Sequence, residues 1–369
     1  MEKIRVNLKR QIDNSYDIII GENLLNKIPK ELKQRPLANK YIIITDSNVE
    51  KQYGDILLKE MKKNGLKTYL ISFKAGEKSK TRKTKEIIEN RMMEYDLGRD
   101  TLVIAVGGGV VGDIAGFVAA TYYRGINYIQ VPTTLLAFAD SSIGGKTAVD
   151  TGFGKNLIGA FHQPKRVYID TTTLKTLPKK EMKNGIAETI KHAVIKDKGF
   201  FRYLEKNVKQ LIKKDPVVIE YITKRNCKIK AKIVETDEKE KGQRKILNYG
   251  HTIGHAIEAA SNYKMTHGNA VALGMVAAAK ISIELGYMSM KDMIRQNNLI
   301  EAAKLPVILP DISIENIIKA MQYDKKIIDD KIMFVLPKKI GDVFFTDEVS
   351  LKLVKKVLDE LKVKKVNNQ

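Results

Sequence analysis

His251 and His255 stand four residues apart in "LNYGHTIGHAIEAA", residues 247–260, and His267 follows in "YKMTHGNAVALGM". The chain has 5 histidines, so three of them within this short span form a local concentration. A catalytic zinc takes three His, Asp or Glu ligands and leaves one position open. Residues four apart lie on one face of a helix. Spacing alone therefore favours His251 and His255 as joint ligands, with an acid supplied from elsewhere. The general base of the H-E-x-x-H metalloproteases is missing, because Thr252 fills its slot. A protease is a poor reading, and which of the three histidines meets a metal stays open at this level.

A second group of residues points to a nucleotide. In "TLVIAVGGGVVGDIAGFVAATYYRG", Gly107, Gly109 and Gly112 satisfy G-x-G-x-x-G directly after an apolar run and at the opening of a helix. Glycines there let the backbone approach a pyrophosphate, and the helix N-terminus offers free N–H groups. The motif lies far into the chain, and no acid follows at the spacing of the usual dinucleotide fingerprint. Asp46, closing the earlier run "YIIITD", is the alternative partner for a ribose hydroxyl. "DSSIGGKTAVDTGFGKNLIG" carries Lys146, Lys155 and Asn156, which we expect in a flexible loop suited to an anion. It is not a Walker A loop, since Asp140 stands where the first glycine is required.

These residues need elements to hold them. "YDIII", "YIIIT", "TYLISF", "TLVIAV", "NYIQV" and "VYID" predict strands, separated by helical stretches such as "DILLKEMKKNG" and "TKEIIENRMMEYDLG". Runs that are apolar throughout suit a parallel sheet covered on both faces. From about residue 179 the segments are mostly helical, with "KIMFVLP" as a late strand. We therefore expect an α/β domain over residues 1–178 and a helical domain over 179–369, with a ligand in the cleft between them. The 369 residues suffice for about two domains, and 43% hydrophobic with 29% charged residues is ordinary for a soluble protein. Cys227 is the single cysteine, which excludes an internal disulfide and fits a reducing compartment. The first twenty residues lack a signal-peptide pattern, and the longest apolar run is interrupted by Lys280. A cytoplasmic protein with no membrane partner is expected. The net charge of +22 is spread along the chain without an Arg-rich arm or a zinc-knuckle spacing, so no nucleic-acid partner is expected. Part of the excess suits an anionic small substrate.

The motifs "AGEKSK", "GGGVVGDIAGFVAATYYRG", "QVPTTLLAFADSSIGGKTAV", "GKNLIGAFHQP", "GIAETIKHA", "KILNYGHTIGHAIE", "HGNAVALGM" and the late "DKK" with "FVLP" resemble the 3-dehydroquinate synthase family in their order and spacing along most of the chain. The resemblance implies a Rossmann-like NAD domain, an all-α metal-binding domain after it, and an active site between the two. It implies conversion of 3-deoxy-arabino-heptulosonate 7-phosphate to 3-dehydroquinate and phosphate. A hydroxyl is oxidised transiently by NAD, phosphate is eliminated, the ketone is reduced back, and the ring opens and recloses. The transient ketone acidifies the neighbouring C–H, which gives this order its logic. The metal, zinc or cobalt, would act as Lewis acid on the reacting hydroxyl.

Carried onto this sequence, the resemblance implies Glu188, His251 and His267 as metal ligands. It places His255 with the substrate near the leaving phosphate, joined by Lys146, Asn156, Asn248 and Lys325. Lys191, Lys230 and Arg244 would bind the carboxylate and ring hydroxyls, and Asp140 would sit by the reacting hydroxyl. Arg124 resembles an arginine that reaches into a partner subunit's site, which implies a homodimer. For NAD the matching positions are Asp46, Glu77, Lys80, Gly109, Val110, Val111, Gly112, Asp113, Thr133, Thr134, Lys146, Lys155 and Thr171, Thr172, Thr173 and Leu174. Two positions depart from the family pattern. Asn269 stands in "HGNAVA" where glutamate is usual, and Phe138 stands where a polar residue is common, beside the expected cofactor pocket. The rival readings are another sugar-phosphate cyclase, such as a 2-epi-5-epi-valiolone or 2-deoxy-scyllo-inosose synthase, and a metal-dependent polyol dehydrogenase.

Overall fold

The structure is a computed structural model that describes residues 13–323, 327–328 and 331–362. Its first half is built on six strands: β1 (Asp17–Gly21), β2 (Lys40–Asp46), β3 (Thr68–Phe73), β4 (Thr101–Gly107), β5 (Asn127–Pro132) and, after a hairpin of β6 (Lys146–Thr151) and β7 (Gly154–Phe161), β8 (Arg166–Asp170). The sheet order is β1-β8-β5-β4-β2-β3, with every neighbouring pair parallel. All six predicted runs are strands of this sheet.

The unbroken apolar character of β2 and β4 follows from helices on both sides. Ile42, Ile44, Val103 and Ala105 face α3 (Arg82–Glu94) and α4 (Gly109–Thr121). Tyr41, Ile43, Leu102 and Ile104 face α1 (Ile28–Gln34) and α2 (Asp55–Lys63). Strand order reverses between β2 and β4: β3 follows outward on one side, and β5 and β8 on the other. In open α/β sheets ligands bind at the carboxyl ends of the strands flanking such a point. Here those ends are Asp46 and Gly107.

The stretch expected as a flexible lysine loop is instead the antiparallel hairpin β6–β7. Lys146 opens β6, and Lys155 and Asn156 lie on β7. Thr147 and Val149 are buried against α4, where a Cβ on Gly116 would overlap Thr147 Cγ2. That apolar stripe, and the small residues at the turn, give a hairpin where the glycine content suggested a loop.

The second half is α5 (Lys179–Lys196), α6 (Lys198–Ile212), α7 (Pro216–Thr236), α8 (His251–Ala260), α9 (His267–Glu284), α10 (Met290–Ala302), α11 (Ile314–Tyr323) and α12 (Leu351–Leu361). The late strand is present as Phe334–Lys339, paired antiparallel with Asp342–Thr346. One apolar core runs through these helices and takes in Leu135, Val167, Ile169 and Leu174 from the first half, so the two halves meet without a gap. Phe138 is fully buried in that core and its carbonyl accepts from Cys227 Sγ. Among the described residues no helix is long and apolar enough to cross a membrane.

Candidate active site

Three helices converge on one carboxylate. Glu188 is wholly buried in the middle of α5, while His251 and His267 are the first residues of α8 and α9. Asn184, one turn before Glu188, accepts the Gly268 N–H at 2.9 Å and so pins the start of α9 to α5. Gly250 takes φ 77° at the N-cap of α8, a conformation that favours glycine. Glu188 Oε1 lies 3.4 Å from His251 Nε2 and 3.2 Å from His267 Nε2. The opposite nitrogens are both engaged: His251 Nδ1 with the Tyr249 carbonyl at 3.0 Å, and His267 Nδ1 with Glu258 Oε2 at 3.1 Å. Both rings therefore turn Nε2 toward the same carboxylate, the arrangement of a histidine prepared for a metal. One donor atom from each of the three falls within 4.8 Å of the others.

His255, Glu258 and His267 form a second group within the same limit. The two groups compete for His267. In the second, Glu258 already serves His267 Nδ1 through one oxygen and Lys155 Nζ, at 3.3 Å, through the other. The first group is the better metal site, and its donor set of two imidazoles and a carboxylate fits zinc or cobalt. The geometry thus separates His251 from His255, which spacing had paired.

Electrostatics bear on the three donors differently. Burial would raise the Glu188 carboxyl, but Lys191 and His251 outweigh it and hold it well below the usual range. Lys191 contacts its second oxygen. Burial and Lys191 push His251 down, toward the neutral form that a ligand needs. His267 is held up, to about 10, because Glu188 and Glu258 outweigh its burial. His267 would have to give up that proton to serve as a ligand.

Beside this cluster lies a set of cations, each with an oxygen partner. Lys230 Nζ meets the Asp140 carboxylate and, at 2.8 Å, the Asp140 carbonyl. Lys146 pairs with Glu240, which also accepts from Asn248 Nδ2 at 2.9 Å. Arg244, 1% exposed, donates to the carbonyls of Glu238 and Gly144. Gly144 has φ 96°, and a Cβ there would overlap Arg244 Nη2. Burial would raise Asp140, but Lys230 and Lys191 hold it well below the usual range.

Burial, then Arg244 and Lys230, lower Lys146 to about 7. A lysine lowered in this way is charged below that pH and neutral above it. The value of kcat/KM for an anionic substrate is therefore expected to fall as pH rises from 7 to 9. In Lys146→Met the step should vanish and KM should be high throughout. An unchanged profile in that variant would remove Lys146 from the anion site.

The residues expected at a dinucleotide lie around the β2/β4 point. Gly108 caps α4 with no side chain, leaving Gly109, Val110 and Val111 to present the helix N-terminus. At Gly112 a Cβ would lie 2.7 Å from Gln130 Oε1 on β5, which explains the third glycine as close helix–strand packing. Asp46 Oδ1 accepts from the N–H groups of Asn48 and Val49, at 2.9 and 3.1 Å, which caps the helical turn that follows β2. Lys80 is buried and bonded to both Asp113 and Asn156 Oδ1, which ties the hairpin to the start of α4. Thr133 N–H binds the Gly107 carbonyl at 2.9 Å, and Thr134 Oγ1 accepts from Ala137 N–H. Glu77 is near Lys155, at 3.9 Å.

Other expected residues are placed less directly. The hydroxyls of Thr171, Thr172 and Thr173 bond to Gly21 and Asp170, and Leu174 is core. Any contact of this segment with a dinucleotide would come through its backbone or outer face. Arg124 is exposed, in a turn at Tyr122–Arg124 beyond the C-terminus of α4. Tyr123 and Arg124 there take φ 49° and 67°, values unusual for non-glycine residues. At 1.5 Å per residue the turn is about 20 Å from the glycine-rich end of the helix. Arg124 is thus remote from its own chain's crevice. Lys325 lies outside the described residues.

Sequence reading missed Glu240, Glu258 and Asp170. Glu258 was legible: residues 251, 255 and 258 share one helical face. Glu240 carries no local signal, since Lys146 is brought to it by the fold, whereas Asp170 caps the turn after β8 through Thr172 N–H and also accepts from the distant Asn23 and Leu25. Asn269 presents a buried Oδ1 with no hydrogen-bond partner among the described residues.

Comparison with known proteins gives concordant matches. The family described as 3-dehydroquinate synthase N-terminal matches residues 70–184, and the one described as 3-dehydroquinate synthase C-terminal matches residues 185–327. A 3-dehydroquinate synthase of Ruminiclostridium cellulolyticum is 44% identical over 96% of this chain and 98% of its own length. One of Desulforamulus reducens is 47% identical, covering 90% and 93%. Among solved structures, 2-epi-5-epi-valiolone synthase from Streptomyces hygroscopicus, with NAD+ and Zn2+ bound, superposes with a TM-score of 0.88 at 26% identity, over 97% of this chain and 99% of that one. A 2-deoxy-scyllo-inosose synthase complexed with carbaglucose-6-phosphate, NAD+ and Co2+ gives 0.85 at 30% identity, over 93% and 96%.

Proposed function

This chain belongs to the 3-dehydroquinate synthase family, and on that premise we propose how its own residues divide the work. Its reaction converts 3-deoxy-arabino-heptulosonate 7-phosphate to 3-dehydroquinate and phosphate. The observation that carries the residue assignment is the meeting of a two-histidine, one-carboxylate cluster with a bank of paired cations at the strand-order reversal. Glu188, His251 and His267 hold the metal, and the glycine-rich start of α4 with Asp46 and Lys80 holds NAD. These groups supply Lewis acidity and reversible hydride transfer when bound. That both fit is supported by their presence in the two solved relatives.

The chain's own residues do the rest. Lys191, Lys230 and Arg244 bind the carboxylate and ring hydroxyls, and Lys146 with Asn248 and His255 takes the phosphate end. Asp140, kept ionised, accepts a hydrogen bond from the reacting hydroxyl and orients it. His255 faces His251 at a ring separation of 5.2 Å, near enough to the cluster to handle a proton beside the leaving phosphate. Asn156 acts through Lys80. We place the domain boundary at 178/179, where α5 begins, and the protein in the cytoplasm, which its single cysteine supports.

The remoteness of Arg124 from its own crevice supports a homodimer in which it serves the partner's site. Metal-loaded protein is expected to release one phosphate per heptulosonate phosphate with no net change in NADH absorbance, and to stop on chelation. Mixing inactive Arg124→Ala and Lys191→Ala proteins should restore part of the rate. Turnover of sedoheptulose 7-phosphate or glucose 6-phosphate alone would move the chain to the substrate class of the two solved relatives. Net NADH formation would make it a dehydrogenase.

A further inference from the structure

Glu258 is a buried acid with no part in the division of work above. It lies on α8, 4% exposed, one face with His251 and His255. Its Oε2 accepts from His267 Nδ1 at 3.1 Å, and its Oε1 takes Lys155 Nζ at 3.3 Å. Lys155 arrives from β7 and is itself held 4.7 Å over the ring of Tyr263. The other nitrogen of His267 lies 3.2 Å from Glu188 Oε1.

An imidazole that offers Nε2 as a lone pair must carry its proton on Nδ1, and the acceptor at Nδ1 fixes both tautomer and ring orientation. His251 has a backbone carbonyl for this, from its own chain two residues earlier. His267 begins its helix, is 30% exposed at the side chain, and has Glu258 instead. Lys155 is the second half of the device. By occupying Oε1 it holds the carboxylate in place and keeps it from serving as a ligand in the competing group with His255. Without this clamp the ring of His267 could turn between two overlapping donor sets.

We propose that Glu258 is a positioning residue for the metal site, fixing His267 with Nε2 toward Glu188, with Lys155 as the clamp that holds it there. The proposal rests on reading Glu188, His251 and His267 as the ligands. The test is cobalt(II) binding to the metal-free full chain, followed by visible d–d absorption and by chelator competition, with a thermal melt as the folding control. Glu258→Ala is expected to bind cobalt about 10–100-fold more weakly with altered bands. Glu258→Gln, whose amide oxygen still accepts from Nδ1, should fall between it and the unaltered protein. His251→Ala is the control for the ligand reading. If His251→Ala loses cobalt while both Glu258 variants bind within twofold of the unaltered protein with unchanged bands, the positioning role is wrong and the ligand set stands. If His251→Ala also binds normally, the ligand reading itself has failed. Should Glu258→Ala not fold, Glu258→Gln decides: at least threefold weaker binding supports the role, and unchanged binding overturns it.

Discussion

Alanine at His251 is expected to empty the metal site and lower turnover by more than about a thousandfold, whereas alanine at His255 should leave metal content near one per chain. His251 is 7% exposed, its Nε2 points to Glu188 Oε1, and its Nδ1 is fixed on the Tyr249 carbonyl. On the proposed ligand set, removing it deletes one of three donors and weakens the hold on the metal. His255 sits one turn on, with its ring centroid 6.1 Å from that of His267. A proton-handling group lost there is expected to lower kcat about 10²–10⁴-fold with metal retained. Metal analysis of the two purified variants checks this directly. Equal loss in both would restore the joint-ligand reading that spacing alone favoured.

Asp140→Asn is expected to damage both catalysis and folding. The carboxylate is ion-paired with Lys230, which is 5% exposed, and sits within the field of Lys191. The amide keeps the shape and leaves the Asp140 carbonyl as a partner for Lys230, but the balancing charge is gone. Breaking a buried pair from one side typically costs about 3–5 kcal/mol. Lys230 is already held below its usual value by burial, so it can shed its proton, and the loss should sit at the lower end. On the role proposed for it at the reacting hydroxyl, turnover should fall about 10²–10⁴-fold. Denaturant unfolding and steady-state rates measure the two effects. Turnover within tenfold of the unaltered protein would place the reacting hydroxyl elsewhere.

The sequence was most informative where apolar pattern alone decides structure. Runs such as "TLVIAV" and "YIIIT" must be covered on both faces, and they became the central strands β4 and β2. The glycine turn was legible for a similar reason, because close backbone approach leaves no substitute for glycine. The β6–β7 hairpin was not, since its small residues read as a loop until α4 provided a surface to pack on. Spacing identified the histidine cluster but could not choose among its members, because a helical face says which residues are neighbours and not where each ring nitrogen points. That distinction came from Tyr249, Glu188 and Glu258, whose positions depend on α5 and the start of α9.

The cations of the pocket have oxygen partners already: Lys191 with Glu188, Lys230 with Asp140, Lys146 with Glu240, and Arg244 with two carbonyls. An incoming anion therefore exchanges partners rather than neutralising bare charge. A lone inorganic ion gains little from such a trade, because each contact it makes breaks one of similar strength. A ligand bearing two anionic groups at a fixed separation can displace several partners at once with a single loss of translational freedom. The molecule carries a net charge of +22, and because three of these four cations already hold a carboxylate, recognition by them depends on the distance between charges as well as on their number.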